Sequence, residues 1–371
     1  MEPNADGRDH LSIALTLVRI HAASPSPDLT TAQRFTRHNM IVDVHAHAAS
    51  EDFIRETAAS PSYGMPYEVC ANGSYATRGY GEMDRLMWDL DGRLENLQRR
   101  GIDLQLISPS PRTISDDNHV IGVEIARLMN RETANLVKRG GGRLGGMAVV
   151  PLGEPEKAAD EIRRAVGEHG FQGACLPTSA AGRPLDLPVF ANVWDTLEEL
   201  GLLVFMHATT AITREPLGQY TLNTVIAWPT EVTIAAMRLI FSGVIERHPG
   251  LRLVLSHGGG TLPYLAGRLD LAYHAPKYEA NPACRANITK PPSHYLTQFY
   301  YDTVVASPAS LRFLIDLVGA DRVMFGTDFP YEIGDADGAI ALPVLQQLPS
   351  AQREKILGQN AREVLRRVRS G

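Results

Sequence analysis

Ile41-Val-Asp-Val-His-Ala-His47 is the stretch that decides the fold, because an apolar run ends here in two histidines spaced two residues apart. In a β-strand, side chains two residues apart point to the same face. The stretch therefore predicts a strand whose carboxyl end carries His45 and His47 side by side. Imidazole nitrogen is a common ligand of divalent metal ions, so the pair predicts part of a metal site.

Three later runs repeat this arrangement of an apolar strand that ends in a possible metal ligand. They are Leu203-Val-Phe-Met-His207, Leu253-Val-Leu-Ser-His257 and Val323-Met-Phe-Gly-Thr-Asp328. An α/β barrel collects its chemistry at the carboxyl ends of several strands. We therefore predict that His45, His47, His207 and Asp328 hold a divalent metal ion, with His257 in the same cluster. Zinc is the default for nitrogen and oxygen ligands and manganese is the alternative; no organic cofactor is expected.

Strand-like and helix-like runs alternate eight times along the chain, which is typical of a parallel α/β architecture. The predicted strands lie near residues 40–45, 102–108, 145–150, 172–177, 202–207, 252–257, 299–304 and 322–327. Eight such units in about 330 residues predict a (β/α)8 TIM barrel with a long insertion after the first strand. The insertion, about residues 50–87, falls at the catalytic end by topology. That position favours a lid or specificity loop, with a surface decoration as the alternative.

Local capping signals predict where several helices begin and end. Ser307 stands before a proline, which predicts an N-cap followed by Pro at the first helical position. Asp186 is predicted to cap a helix over residues 187–200 that a glycine ends. An amphipathic run predicts one long helix over residues 229–245.

The composition suits a single large globular unit without a nucleic-acid surface. The chain has 371 residues, 44% of them hydrophobic, and a formal net charge of −6. Nucleic-acid binding would need clustered basic residues, which this balance does not indicate. The three cysteines, Cys70, Cys175 and Cys284, are too scattered for a disulfide framework or a CxxC zinc site. We therefore expect reduced thiols and a cytoplasmic protein.

The first 39 residues differ in character from the rest of the chain. The apolar run Leu11–Ile20 is short and contains Arg19, whereas a membrane span needs about 20 apolar residues. Acidic residues precede this run where a secretory signal would need basic ones. We expect residues 1–39 to be a poorly ordered or peripheral extension, and residues 40–371 to form a single barrel domain.

The strand-end residues together resemble those of the amidohydrolase superfamily, and longer stretches resemble its aminocarboxymuconate semialdehyde decarboxylase group. These stretches are Arg93–Asp103, Phe241–Arg247, Ser256–Gly260, Gly267–Asp270, Asp321–Pro330 and Gly358–Arg362. The resemblance runs from about Met40 to the C-terminus. It implies one divalent metal ion, because the strand-four segment 170–177 has no lysine that could bridge two ions.

The resemblance also implies roles for the residues around the metal. It assigns His257 as an acid/base catalyst and Asp328 as a ligand that could also move a proton. It places Arg268 against the substrate carboxylate, often reaching into the neighbouring subunit. The active unit would then be a homodimer or a higher homo-oligomer.

Two further substrate contacts follow from the resemblance and from side-chain type. Arg78, in the insertion, is similar to a second substrate-binding arginine of the family, and Arg85 is its rival. Trp228 and Trp88 are candidates for stacking on a planar substrate. The partner expected at this site is a small carboxylic acid.

The resemblance implies a metal-dependent, non-oxidative decarboxylase of a small planar unsaturated or aromatic carboxylic acid. A metal-dependent hydrolase or hydratase in the same barrel is the alternative, since an activated water would open a lactone or add across a double bond. A non-catalytic metal-binding protein is a third interpretation. It predicts thermal stabilisation by metal without turnover, whereas the hydrolase predicts turnover without CO2.

Overall fold

Eight parallel strands follow one another around a barrel in chain order. They are β1 (Val42–His47), β2 (Leu104–Ser108), β3 (Leu144–Val149), β4 (Gly173–Pro177), β5 (Leu203–His207), β6 (Arg252–Leu255), β7 (Tyr300–Asp302) and β8 (Val323–Met324). The chain after β8 closes the barrel onto β1, because Val44 N donates to Phe325 O at 3.0 Å and Asp328 N donates to His45 O at 2.8 Å. The predicted (β/α)8 barrel is confirmed.

The structure is a computed structural model that describes residues 40–60, 63–78, 81–115, 120–209, 217, 219–275 and 284–368. The expected extension over residues 1–39 lies outside the described residues. Helices lie between the strands on the outside of the barrel. The main ones are α1 (Leu90–Arg100), α2 (Val123–Arg139), α3 (Pro155–His169), α4 (Ala191–Leu200), α5 (Trp228–Phe241), α6 (Leu262–His274) and α7 (Pro308–Val318). Shorter helices are Pro111–Ile114, Val244–Arg247, Ala341–Gln346, Ser350–Glu354 and Asn360–Leu365.

One predicted helix cap is confirmed and another is wrong. The Ser307 hydroxyl accepts from Ser310 N at the start of α7, as expected for an N-cap. Asp186 caps no helix, because its carboxylate instead accepts from both Nε and Nη2 of Arg238, at 2.7 and 3.0 Å. Such a bidentate, charge-assisted pair is stronger than a cap bond. Helix α4 accordingly begins only at Ala191, after a short 3-10 turn.

The predicted helix over 229–245 is two helices. Gly243 has φ of 74°, a left-handed conformation that glycine adopts without steric cost, and it separates α5 from Val244–Arg247. A π-helical turn precedes α5, and the stretch Asn223–Phe241 is long and apolar enough to cross a membrane by length and composition. Almost half of that stretch is buried inside the protein. Residues such as Leu239 pack in the core, so α5 is a core helix of the barrel.

The insertion after β1 is a small folded unit. It contains helix Glu51–Ala59, a three-stranded antiparallel sheet and a 3-10 turn at Arg85–Met87. The side chain of Ser50 caps its helix by accepting from Phe53 N. The sheet packs on that helix through the rings of Tyr67 and Phe53, whose centroids lie 6.0 Å apart. A role as lid or specificity element stays a prediction.

Candidate metal centre

Four buried side chains converge at the carboxyl end of the barrel. His45 and His47 come from β1, His207 ends β5, and Asp328 follows β8. One ligand atom from each lies within 4.8 Å of the others. The alternation of side chains along β1 and β5 explains this placement, since it turns these histidines toward the barrel axis. The structure thus brings together the four residues that the sequence predicts as metal ligands.

Each histidine is held through its Nδ1 atom by an oxygen atom, so its Nε2 atom is the one available to bind a metal. The Nδ1 atom of His45 lies 2.6 Å from Asp302 Oδ2, and that of His207 lies 2.7 Å from Ala208 O. The Nδ1 atom of His47 lies 3.3 Å from Pro109 O. Carboxylate and carbonyl oxygens only accept hydrogen bonds, so Nδ1 carries the proton in each ring. This arrangement is typical of metal-binding histidines.

The charges at the centre favour a cation. Oδ1 of Asp328 lies 3.1 Å from Nε2 of both His45 and His47. Burial alone would raise the pKa of Asp328, but the two imidazoles hold it well below its usual value, so the group is an anion. Burial would lower the pKa of His45, but the carboxylates of Asp328 and Asp302 raise it to about 10. The carboxylates of Asp328 and Asp302 therefore stabilise positive charge at the point where the histidine Nε2 atoms converge.

Two buried ring nitrogens support a metal at this point. Nε2 of His207 has no hydrogen-bond partner within the described part of the chain, and Nε2 of His45 has only a poorly directed contact with Asp328 Oδ1 there. An unpaired buried nitrogen is costly, and coordination of a metal would remove that cost. Three imidazoles and one carboxylate are a donor set that suits zinc or manganese. The residues present therefore fit a divalent metal ion.

His257 stands beside the four ligands. Its ring centroid lies 4.9 Å from that of His207 and 5.4 Å from that of His45, and its Nε2 has no partner in the described residues. Burial lowers the pKa of His257, the charge of Asp328 offsets part of that effect, and the net pKa stays below its usual value. The ring is therefore neutral near pH 7 and able to accept a proton.

The backbone at two of these residues is strained. His257 has φ of 52° and Asp328 has φ of 57°, which non-glycine residues rarely adopt. Such strain persists where the surrounding structure fixes it, often at functional sites. After His257 the chain turns tightly, and a Cβ on Gly260 would lie 1.9 Å from Pro229 O. Only glycine fits this close approach between the turn and the start of α5.

Trp228 lies at the centre, whereas Trp88 does not. The indole of Trp228 stacks on the His257 ring at 6.5 Å with an interplanar angle of 21°, and its Nε1 is buried without a partner in the described structure. The ring of Trp88 instead packs edge-on against Tyr75 of the insertion at 5.0 Å. Trp228 therefore offers an unused donor and a flat surface beside the acid/base candidate.

The structure does not bring the predicted substrate arginines into contact with the centre. Arg78 is exposed and pairs with Glu68 at 2.9 Å, and Arg85 is exposed and pairs with Asp89 at 3.1 Å. Arg268 is exposed on the outer face of α6. Among the described residues, Arg268 therefore contacts none of the four ligands.

Sequence reasoning missed Asp302 and Tyr331. Asp302 ends β7 and binds the His45 ring, so it carries the same strand-end signal as the ligands. The Tyr331 ring lies 5.3 Å from that of His47, and its hydroxyl donates to Ser110 Oγ at 3.0 Å. Tyr331 follows the ligand Asp328 by three residues, and this closeness in sequence is the signal that could have indicated it.

The strand-four end supplies no bridging lysine. Pro177 ends β4 and pairs in register with His207 of β5. Thr178 follows, and its hydroxyl donates to Glu231 at 2.9 Å. Within the described residues, the cluster of possible metal ligands contains three histidines and one aspartate, and no lysine. This composition supports a single ion.

Comparison with known proteins agrees with this geometry. The sequence profile of the amidohydrolase family matches residues 42–367. The chain is 31% identical over 276 residues to the gamma-resorcylate decarboxylase of Rhodococcus jostii (strain RHA1), covering 67% of this chain and 79% of that protein. It is 28% identical over 287 residues to the 2-amino-3-carboxymuconate-6-semialdehyde decarboxylase of Dictyostelium discoideum, covering 77% of this chain and 79% of that protein.

A solved structure shares the fold. The dihydroxybenzoic acid decarboxylase of Polaromonas sp. JS666, solved with manganese and the inhibitor 2-nitroresorcinol, superposes with a TM-score of 0.67 at 24% identity. The match covers 89% of this chain and 98% of that one. The resemblance found in the sequence is thereby confirmed: the chain belongs to the amidohydrolase family.

Proposed function

We propose that this protein is a metal-dependent, non-oxidative decarboxylase of a small aromatic acid, with a hydroxybenzoate as the substrate class. The observation that carries the proposal is the cluster of His45, His47, His207 and Asp328 with His257 beside it. The names of its relatives support the substrate class, since gamma-resorcylate is a dihydroxybenzoate and its decarboxylase is 31% identical to this chain.

The reaction replaces a carboxylate on the ring by a proton. When bound, a divalent metal would orient the substrate oxygens and withdraw charge from them. His257, neutral near pH 7, accepts a proton from the substrate hydroxyl and delivers it to the ring carbon that bears the carboxylate. The carbon–carbon bond then breaks, and its electron pair restores the aromatic ring as CO2 leaves. Trp228 stacks on His257 and limits the access of water to that side of the site.

The identity of the metal is part of the proposal. The donor set suits zinc, which the sequence predicts, and also manganese. The manganese bound in the Polaromonas enzyme supports testing manganese first. We propose one ion per chain.

We also propose a homodimer in which Arg268 reaches the partner's site. Tyr264, Arg268 and Leu271 lie at positions i, i+4 and i+7 of α6 and therefore share one face. The two apolar side chains are 81% and 72% exposed. Two large apolar side chains exposed on one helix face favour an interface. Arginine suits the carboxylate of an acid substrate because it can bind it with two parallel hydrogen bonds.

Replacing Arg268 tests this arrangement. For Arg268→Ala we expect KM to rise about 10- to 100-fold, because the substrate carboxylate would lose a hydrogen bond between charged groups. The metal content should be unchanged. Steady-state kinetics and elemental analysis measure both. Arg163→Ala is the control, since the Arg163 side chain is 39% exposed and pairs with Glu199 at the surface, away from the four ligands. Unchanged kinetics for Arg268→Ala would remove it from the site and leave Arg78 and Arg85 to be tested in the same way.

The remaining assignments concern the whole chain. We propose that residues 40–371 form one catalytic domain, with residues 1–39 peripheral to it. The three cysteines are free thiols, which supports a cytoplasmic location. A small carboxylic acid is the partner, with no nucleic acid or membrane.

The alternative function is a hydrolase or hydratase that uses the same centre. Manganese-loaded protein incubated with hydroxybenzoates, phthalate-like acids and enol-type dicarboxylates separates the two. We expect CO2 release from a hydroxybenzoate. Turnover of a lactone or an alkene without CO2, by fully metallated protein, would favour the alternative.

A further inference from the structure

We propose that Asp302 is a positioning residue that holds the metal ligand His45 and the acid/base His257 in one arrangement. The part that concerns His257 rests on the proposed function. Within the described residues, Asp302 is the side chain that hydrogen-bonds both the ring of His45 and the backbone of His257.

The Asp302 carboxylate is buried, and each of its oxygens accepts two hydrogen bonds. Its Oδ2 accepts from His45 Nδ1 at 2.6 Å and from His257 N at 3.1 Å. Its Oδ1 accepts from Gly258 N at 2.8 Å and from Val304 N at 3.1 Å. A carboxylate with no solvent exposure is stable only with such a set of donors. Removing the whole carboxylate would therefore leave four donors without their acceptor.

The glycine turn after β6 is shaped to bind this carboxylate. His257 and Gly258 have φ values of 52° and 60°, and their successive N–H groups converge on the two Asp302 oxygens. Such turns bind anions. A Cβ on Gly258 would lie 2.3 Å from Val305 Cγ1, so the turn packs directly on the chain after β7. Asp302 therefore fixes the backbone from which the His257 ring projects.

The same carboxylate sets the tautomer of His45. Because a carboxylate only accepts, the ring proton stays on Nδ1 and Nε2 stays free for the metal. An asparagine amide keeps one acceptor oxygen and replaces the other by an NH2 group. In one orientation the NH2 group faces His45 Nδ1, which would favour the proton on Nε2 and block the ligand atom; in the other it faces the N–H groups of Gly258 and Val304. Asp302→Asn is thus close in shape, but it either changes the His45 tautomer or loses the hydrogen bonds from Gly258 and Val304.

The first test measures metal affinity rather than activity. For Asp302→Asn we expect manganese affinity, by calorimetry or chelator competition, to fall about 10- to 100-fold. Glu161→Gln is the matched control. Glu161 is also a buried carboxylate, but its partners Asn130, Arg127 and Arg164 lie on α2 and α3. Glu161→Gln should lower the unfolding temperature and leave manganese affinity unchanged. Equal affinities in wild type and Asp302→Asn would overturn the proposal.

The second test asks whether Asp302 also acts on His257. At saturating manganese, we expect kcat of Asp302→Asn to stay at least about 10-fold below wild type, because a misplaced acid/base transfers protons more slowly. Full recovery of kcat would show that Asp302 acts through His45 and metal binding alone. It would overturn the proposal that Asp302 also positions His257. If Asp302→Asn does not fold, Asp302→Ser replaces it, with the same expected losses. If wild type turns over no substrate, the proposed function fails, while the affinity comparison still decides the effect on His45.

Discussion

His45→Ala should lose bound metal and activity together. The change removes one of four ligands and also leaves the Asp302 carboxylate without its partner at 2.6 Å. Removing one partner of a buried charged pair is costly, about 3–5 kcal/mol, so the unfolding temperature should also fall. Elemental analysis, CO2 release and thermal unfolding measure the three effects on the same preparation.

Two comparisons make this result specific. His294→Ala removes an exposed histidine and should change neither metal content nor CO2 release. His207→Ala removes a ligand whose Nδ1 contacts a neutral backbone carbonyl rather than a carboxylate, so it should lose metal with a smaller loss of stability. Full activity of metal-free His45→Ala would contradict the metal-dependent function.

His257→Ala should keep its metal and lose turnover. His257 is outside the four-ligand cluster, so the ion should bind as in wild type. Loss of a general acid/base typically costs about 100- to 10,000-fold in rate. We expect that loss in kcat for CO2 release, with manganese content near one per chain.

A second variant separates chemistry from backbone strain. His257 has φ of 52°, which alanine tolerates poorly, whereas asparagine adopts it more readily. His257→Asn should therefore keep the turn and the hydrogen bonds to Asp302 while removing the imidazole. If His257→Asn retains wild-type kcat, His257 is not the acid/base, and Asp328 becomes the candidate for proton transfer.

The barrel and its metal ligands could be predicted because both follow from short-range patterns. Apolar runs locate the eight strands within a few residues, and the two-residue period of β1 aligns His45 with His47. Parallel strands end at one face of a barrel, so ligands distant in sequence converge without further information. The cluster of His45, His47, His207 and Asp328 is the direct result.

Features that depend on distant partners could not be predicted in the same way. The sequence around Asp186 predicts a helix cap, but Arg238, 52 residues later, binds its carboxylate instead. Asp302 ends a strand of only three residues, which leaves a weak apolar signal, and its role depends on His45 from the other end of the chain. Arg268 is exposed in the described part of one chain, so the proposed contact with a substrate depends on a second copy that the sequence does not describe.

The most direct test of the central claim is a titration of metal-stripped protein with manganese while CO2 release from a hydroxybenzoate is measured. We predict no release without metal, a linear rise with added ion, and a plateau at one manganese per chain. Substantial CO2 release by metal-stripped protein, or none from any acid of the panel at full occupancy, would contradict a metal-dependent decarboxylase. A plateau at two ions would contradict the single-ion centre.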